Sequence, residues 1–250
     1  MTPHLIAATS SVSSPLWYFT RGTGLVALVL LSGSVILGIA SLSRATSATW
    51  PRFVTAGLHR SVSLLVVLLL AAHIITAEFD TFAPIGWAAV GVPFVSTYRP
   101  LWLGLGTVAF DLLIALCITS LLRAHLGYRA WRAVHWLAYL CWPVAVLHGL
   151  GTGTDTRLSW VLGTTVVCVA AVVAAGIWRL AQGWPSAPSM RMAIAATGLV
   201  VLTVGTAWTI RGPLQPGWAR RAGTPRNLLE ATANIALDNR HSPTAPGGAA

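Results

Sequence analysis

Four histidines lie inside apolar sequence and form two pairs with nearly equal spacing. His59 and His73 bracket the segment HRSVSLLVVLLLAAH, and His135 and His148 bracket HWLAYLCWPVAVLH. Imidazole is polar and binds metal ions, so an imidazole within hydrocarbon marks a functional site by default. Two long-spaced pairs predict a shared ligand-binding arrangement rather than four separate hydrogen-bonded core residues.

The composition places these histidines in a membrane protein. Of the 250 residues, 55% are hydrophobic and only 9% are charged, against roughly 25% charged in soluble domains. The sixteen basic residues are all arginine and give a net charge of +10. They lie mainly at the ends of apolar runs, where membrane topology and anionic lipid explain them without a nucleic-acid partner. The three cysteines form no CxxC or Cys/His spacing and are interpreted as small apolar residues.

The apolar runs predict the fold class, an all-α membrane protein built as a six-transmembrane-helix bundle over residues 1–211. Only helices or closed barrels satisfy their backbone groups in lipid, and a span takes about 20 helical residues. The six predicted spans are residues 24–42, 58–77, 100–122, 133–150, 158–180 and 192–210. Residues 82–95 are apolar but short and interrupted by proline and glycine, which favours a loop or re-entrant segment. Residues 212–250 form a polar tail in which RNLLEATANIALDNR predicts one short amphipathic helix.

Arginines in the short connections predict the orientation in the cytoplasmic membrane. The connections after spans 1, 3 and 5 contain most of them: Arg44, Arg52, Arg123, Arg129, Arg132, Arg179 and Arg191. The opposite side has Arg99 and Arg157 beside Glu78, Asp80 and Asp155. The arginine-rich connections are therefore predicted to be cytoplasmic, which places both termini and the tail outside the cytoplasm.

The histidine spacings predict two levels of ligands between spans 2 and 4. Both spans run outward, so His59 and His135 lie at the inner level and His73 and His148 at the outer level. At 1.5 Å per residue, steps of fourteen and thirteen residues rise about 21 and about 20 Å. One imidazole from each helix can therefore meet at each level. Two such ligands suit a planar macrocycle such as haem, whereas a bare metal ion takes three or four.

The angular phase is less favourable than the rise. Fourteen residues of α-helix return His73 to within about 40° of His59, but thirteen leave His148 about 140° from His135. Pro143 lies between the second two and can kink the helix. A straight helix therefore does not explain the second pair.

Several other residues are candidates for the same site. Arginine pairs with haem propionates, and the candidates are Arg60 and Arg132, with Arg52 and Arg129, at the inner level and Arg99 or Arg157 at the outer level. Gly57, Ala71, Ala72 and Gly149 flank the histidines and would let a flat cofactor approach the backbone. Asp111 is predicted to lie near mid-membrane. Its role there would be that of a proton relay, of an acceptor that orients a ligating histidine, or of an interhelical hydrogen-bonding group. A proton or metal-ion transporter that uses the histidines and Asp111 is the alternative function.

The histidine pattern resembles the ferric reductase-like transmembrane domain shared by ferric reductases, NADPH oxidases and the haem subunit of a methionine sulfoxide reductase system. The resemblance covers about residues 17–180. It implies a membrane b-type cytochrome with two haem b groups, the inner iron held by His59 and His135 and the outer by His73 and His148. Whether one site or both are occupied stays open.

The resemblance also implies the direction of electron transfer and the class of partners. Single electrons would pass from the cytoplasmic side to an extracytoplasmic acceptor. In the full-length reductases a flavin and nicotinamide domain follows the last haem-domain helix, whereas here residues 179–191 form a short loop before span 6. The chain is therefore expected to be the electron-transfer subunit of an oxidoreductase, with a separate flavoprotein or quinol as donor.

Overall fold

In the computed structural model every regular element is a helix, within the residues that it describes: 15–42, 51–80, 83, 85–182 and 185–241. The helices are α1 Pro15–Leu42, α2 Arg52–Phe79, α3 Ala88–Gly91, α4 Pro100–Leu121, α5 Arg123–His135, α6 Ala138–Thr152, α7 Ser159–Gln182, α8 Pro188–Arg211, α9 Trp218–Arg221 and α10 Arg226–His241. Five are long and apolar enough to cross a membrane, and the bent pair α5 and α6 makes a sixth candidate. The predicted multi-pass helical membrane protein is confirmed.

The first two spans begin earlier than the apolar pattern predicts. Helix α1 begins at Pro15 rather than at residue 24, and α2 begins at Arg52 rather than at residue 58. A helix does not stop where the hydrocarbon stops, because its backbone hydrogen bonds continue through the interfacial region. The early start of α1 brings Arg21 into the helix.

The predicted fourth span is broken rather than continuous. Helices α5 and α6 meet at Trp136 and Leu137 with a bend of 44°. There the Leu137 N–H donates to the Val134 carbonyl at 2.9 Å, and the Tyr139 N–H donates to the Trp136 carbonyl at 3.1 Å. These i to i−3 bonds are those of a 3₁₀ turn. The break therefore lies upstream of Pro143, which remains inside α6.

The segment after α2 does not cross the membrane, as the sequence predicts. Its only regular element among the described residues is the four-residue helix α3, and it packs against α4. The Thr107 hydroxyl donates to the Ala89 carbonyl at 2.6 Å. A side chain at Gly104 would collide with Phe94. The close approach of this segment to α4 therefore requires glycine at position 104.

The buried core joins α2, α4 and α6. Its central cluster consists of Val66, Ala109, Leu113, Leu116 and Cys141. Helix α1 packs along α2 and also contacts α6 and α7, whereas α8 lies outside the core and buries none of its residues. The cysteines are free thiols, buried or half-buried in apolar surroundings, as the sequence predicts.

The first part of the polar tail packs against the bundle instead of extending from it. Trp218 stands beside Trp102 and Trp208, with ring centroids 5.4 and 5.9 Å away, and its indole N–H donates to the Gly151 carbonyl at 3.0 Å. The amphipathic helix predicted in the tail is present as α10. Arg44, the Arg52 side chain and residues 242–250, on which parts of the topology and tail predictions depend, lie outside the described residues.

Candidate functional site

The structure brings the four intramembrane histidines together as two pairs. The ring centroids of His59 and His135 are 6.3 Å apart with an interplanar angle of 77°. Those of His73 and His148 are 6.5 Å apart with an angle of 86°. Each pair takes one imidazole from α2, while the other comes from the end of α5 or from α6. The pairing is the one that the spacings predict.

The break between α5 and α6 explains how a thirteen-residue step can give matched pairs. A 3₁₀ turn rotates about 120° per residue and an α-helix about 100°. Each residue in the turn at Trp136 and Leu137 therefore adds rotation in the direction that closes the gap of about 140°. The 44° bend changes the direction of α6 relative to α5. At about 20° per residue the two turn residues supply about 40° of this gap, and both the turn and the bend lie before Pro143.

Three of the four imidazoles are oriented by a backbone carbonyl of a neighbouring helix. His73 Nδ1 lies 2.8 Å from the Thr20 carbonyl oxygen. His59 Nδ1 lies 2.9 Å from the Ser34 carbonyl oxygen, and His148 Nδ1 lies 2.9 Å from the Trp102 carbonyl oxygen. A carbonyl only accepts, so each Nδ1 is the protonated nitrogen. Nε2 is then the nitrogen that remains free to bind a metal.

A glycine four residues after each of these carbonyls makes the contact sterically accessible. A helical Cβ is tilted toward the N-terminus and covers the turn before it. An added Cβ would lie 2.9 Å from His73 at Gly24 and 3.6 Å from His59 at Gly38, and at Gly106 it would collide with His148. Sequence reasoning missed these glycines, although the pairs Thr20/Gly24 and Ser34/Gly38 repeat at the same fourteen-residue interval as the histidines of α2.

The small residues predicted to let a cofactor approach the backbone differ from these three glycines. An added Cβ at Gly57 or Gly149 would have nothing within 4 Å. Gly149 lines the cavity described below. These positions border open space, whereas Gly24, Gly38 and Gly106 touch the histidine rings.

His135 is held differently from the other three. Its Nδ1 is buried, and no protein group among the described residues lies within hydrogen-bond distance of it. Instead its ring stacks on Trp131, with centroids 4.9 Å apart and planes 27° apart. The inner pair therefore combines one hydrogen-bonded imidazole with one stacked imidazole.

An interior cavity of about 330 Å³ adjoins the outer pair. It lies between α1, α2, α4, α6 and α7, and its lining includes His73, His148 and Arg21. Arg21 forms a salt bridge of 3.2 Å with Asp155, and its guanidinium carbon lies 4.4 Å from the Trp17 ring centroid. Sequence reasoning missed Arg21, because the apolar run that predicted the first span begins only after it.

The predicted outer arginines are not cavity residues. Arg99 is 2% exposed, and its guanidinium donates to Thr224 Oγ1 at 2.9 Å and to the carbonyl oxygens of Gly151 and Thr152 at 3.2 and 2.9 Å. Burial lowers the pKa of Arg99 below that of a solvated arginine. Arg157 is exposed. Arg99 therefore ties the outer ends of α4 and α6 to the tail.

The predicted inner arginines lie at the surface. Arg60 and Arg132 are both exposed. Arg132 and Arg129 line an open depression of about 390 Å³ together with Tyr128, Ala133 and Trp136. Arg132 lies three residues before His135 on α5, so it is near the inner pair in sequence and on the same element.

Asp111 does not join the histidines. It is exposed on α4 and is not among the residues that line the interior cavity. Three of the histidine Nδ1 atoms donate to backbone carbonyls, and that of His135 has no hydrogen-bond partner among the described residues, so the interpretation of Asp111 as an acceptor that orients a ligating histidine is wrong. A relay of the histidines with Asp111 likewise has no support in this geometry.

The distances suit one metal ion between each two rings. A nitrogen ligand lies about 2.0–2.1 Å from a first-row metal, which puts the centroids of two opposed imidazoles on one ion about 6.3 Å apart. The observed separations are 6.3 and 6.5 Å. No group of three or more His, Cys, Asp or Glu side chains that could hold a metal occurs among the described residues. Two imidazoles per site leave the other positions of the ion to a macrocycle.

The comparison with protein families gives one match. Residues 23–146 match the family model described as the ferric reductase like transmembrane component. This part of the chain is therefore similar to the ferric reductase-like transmembrane family that the histidine pattern resembles. The matched segment contains His59, His73 and His135 and ends two residues before His148. No curated protein and no solved structure gives a significant match to the chain.

Proposed function

We propose that the chain is a membrane b-type cytochrome that carries single electrons across the membrane through two bis-histidine haems. The family of residues 23–146 indicates a membrane electron-transfer component. The observation that carries the finer proposal is the pair of imidazole separations, 6.3 and 6.5 Å. These separations match axial ligation of one iron between each two rings.

The chain's own residues would bind and orient the two groups. His59 with His135, and His73 with His148, would supply the axial nitrogens, and the carbonyls of Ser34, Thr20 and Trp102 fix three of these rings. Haem iron, when bound, cycles between two oxidation states one electron apart. The apolar lining of the cavity keeps water from the outer level, and Arg21 supplies a positive charge there for a propionate.

The arginine distribution supports an inward-facing level at His59 and His135. Electrons would enter there from a separate flavoprotein or membrane quinol. They would leave near His73 and His148 to an extracytoplasmic acceptor. On this proposal both termini lie on the acceptor side of the cytoplasmic membrane, and Arg60 and Arg132 stand on the donor side.

Haem content and spectra of the purified full-length protein test the proposal. We expect two haems per chain by the pyridine haemochrome assay and a low-spin b-type spectrum reducible by dithionite. His148→Ala is expected to retain one haem, whereas His125→Ala, which removes an exposed histidine outside the pairs, should retain both. A protein without haem, or full haem content in all four paired-histidine variants, would refute it. Ion transport without haem would then favour the transporter.

A further inference from the structure

We propose that Trp131 is the positioning residue for His135, and that the inner site is the exchangeable one, where a small neutral ligand can displace a histidine, because His135 has stacking in place of the hydrogen bond that the other three imidazoles make. The inference rests on the proposed function. It assigns to the inner level a binding property that the outer level lacks. Its basis is a regular pattern in the helices that is broken at one position.

The pattern is a carbonyl and a glycine four residues later, facing one imidazole. It occurs twice in α1, as Thr20 with Gly24 and as Ser34 with Gly38, fourteen residues apart. It occurs once in α4, as Trp102 with Gly106. These three cases serve His73, His59 and His148.

The pattern does not occur a fourth time, because Ser120 stands where a second glycine would be needed in α4. Fourteen residues after Trp102 and Gly106 in α4 stand Leu116 and Ser120. The position that holds glycine in the other three cases therefore holds serine, and the Leu116 carbonyl accepts a hydrogen bond from the Thr119 hydroxyl at 3.2 Å. His135 Nδ1 has no hydrogen-bond partner among the described groups. The pattern of carbonyl and glycine is thus missing at the fourth ring.

Trp131 takes over the orienting role at this position. It precedes His135 by one helical turn of α5, where residues i and i+4 face each other, and its ring stacks on the imidazole at 4.9 Å. The Trp131 indole N–H reaches Ser120 Oγ at 3.3 Å. The Arg123 guanidinium carbon lies 4.4 Å from the Trp131 ring centroid. The serine at the glycine position therefore helps to fix Trp131.

Stacking holds the plane of an imidazole but does not raise its basicity. A hydrogen bond from the far nitrogen of a ligating histidine strengthens its bond to the metal, and losing such a bond typically costs about 10–100-fold in metal affinity. His135 is therefore the weakest of the four axial ligands. Carbon monoxide, a small neutral ligand for ferrous haem, would break the iron–Nε2 bond of His135 and form an iron–carbon bond, with no change in the oxidation state of iron.

Carbon monoxide titration of the dithionite-reduced, haem-loaded protein tests the proposal. In the wild type we expect carbon monoxide to bind no more than half of the haem. Trp131→Leu should raise the affinity of that half at least about tenfold, while the remaining half stays six-coordinate. Trp131→Phe keeps a ring that can stack and should restore wild-type affinity. Trp87→Leu is the matched control, because Trp87 is 60% exposed and contacts Phe79 rather than a histidine.

The outcomes separate this inference from the proposed function. Suppose that the wild type contains two haems. The role of Trp131 alone would be overturned if Trp131→Leu bound carbon monoxide like the wild type, or if Trp131→Phe behaved like Trp131→Leu. A wild type without haem would overturn the proposed function. If Trp131→Leu does not accumulate, the two histidine variants identify the haem that binds carbon monoxide first in the wild type. We expect this haem to be missing from His135→Ala and present in His148→Ala. The reverse result would contradict the proposal.

Discussion

The two histidine pairs have the same spacing but different support. In the outer pair both imidazoles donate to backbone carbonyls, of Thr20 and Trp102, and both rings lie against glycines. In the inner pair only His59 has such a bond, to the Ser34 carbonyl, and His135 stacks on Trp131. Nearly equal separations of 6.3 and 6.5 Å therefore accompany unequal hydrogen-bonding support. A backbone carbonyl fixes both the tautomer and the direction of a ring, whereas an aromatic neighbour fixes only its plane.

The surroundings of the two pairs differ in the same sense. The outer pair adjoins the interior cavity of about 330 Å³, whose lining is mostly apolar. The inner pair takes His135 from the end of α5, a helix that buries none of its residues. On the proposed function, the pair beside the cavity is suited to a fixed potential and the pair beside α5 to contact with an electron donor.

Substitution of Gly106 should have the largest effect, because it should remove one of the two carbonyl hydrogen bonds that support the outer pair. The Cβ of Gly106→Ala would collide with the His148 ring, so the ring must leave the Trp102 carbonyl. We expect the outer haem to be bound about 10–100-fold more weakly, measured as haem lost on dilution or by transfer to apomyoglobin. Gly205→Ala in α8, where an added Cβ has nothing within 4 Å, is the control. Wild-type retention in Gly106→Ala would show that the carbonyl contact is dispensable.

Removal of Arg99 should act on the packing between α4, α6 and the tail rather than on the ligands. Arg99→Ala leaves the Thr152 carbonyl and the Thr224 hydroxyl without this donor, and it leaves the Gly151 carbonyl with only the Trp218 indole N–H. Hydrogen bonds to charged groups contribute about 1.5–3 kcal/mol, and we expect a loss of about that size in thermal stability in detergent. The exposed Arg157→Ala should leave the unfolding midpoint unchanged. Equal midpoints for the two variants would remove Arg99 from this role.

Arg21 should tune the outer level without affecting the inner one. Arg21→Gln removes a positive charge from the cavity and leaves Asp155 without its partner. Both changes favour the oxidised iron, so the midpoint potential of the outer haem should fall. For charges about 10 Å apart at an effective dielectric of about 20, the effect is about 1–2 kcal/mol. Asp155→Asn should shift the potential upward in a spectroelectrochemical titration, and a shift of the inner haem instead would reverse the assignment of levels.

The smallest effect is expected at Gly38, the inner counterpart of Gly24 and Gly106. An added Cβ there would lie 3.6 Å from His59 Cε1, an ordinary contact, against 2.9 Å from His73 at Gly24. Gly38→Ala should therefore keep the inner haem, and Gly24→Ala should weaken the outer haem less than Gly106→Ala does. The haem content of the three variants measures this order. Greater loss in Gly38→Ala than in Gly106→Ala would contradict the steric explanation.

Much of the frame could be predicted from the sequence because hydrophobic length and spacing are local properties. The spans follow from apolar runs, and the levels of His59 and His73 follow from fourteen residues of regular helix. The positions of Arg21, Asp111 and Arg99 could not be predicted in this way. Whether such a side chain faces the cavity, the outer surface or a set of carbonyls depends on how neighbouring helices are rotated and where they begin.

The sequence by itself determined a multi-pass helical membrane protein, its resemblance to a family and the residues that form two histidine pairs. Only the tertiary structure decided how His135 and His148 come into phase, because the 3₁₀ turn and the 44° bend at Trp136 and Leu137 break a periodicity that a continuous helix would keep. It also decided that Gly24, Gly38 and Gly106 expose carbonyls to three rings, while Trp131, which donates to Ser120, stacks on the fourth. These contacts join helices far apart in the chain, and no local pattern specifies which turn of one helix faces which ring of another.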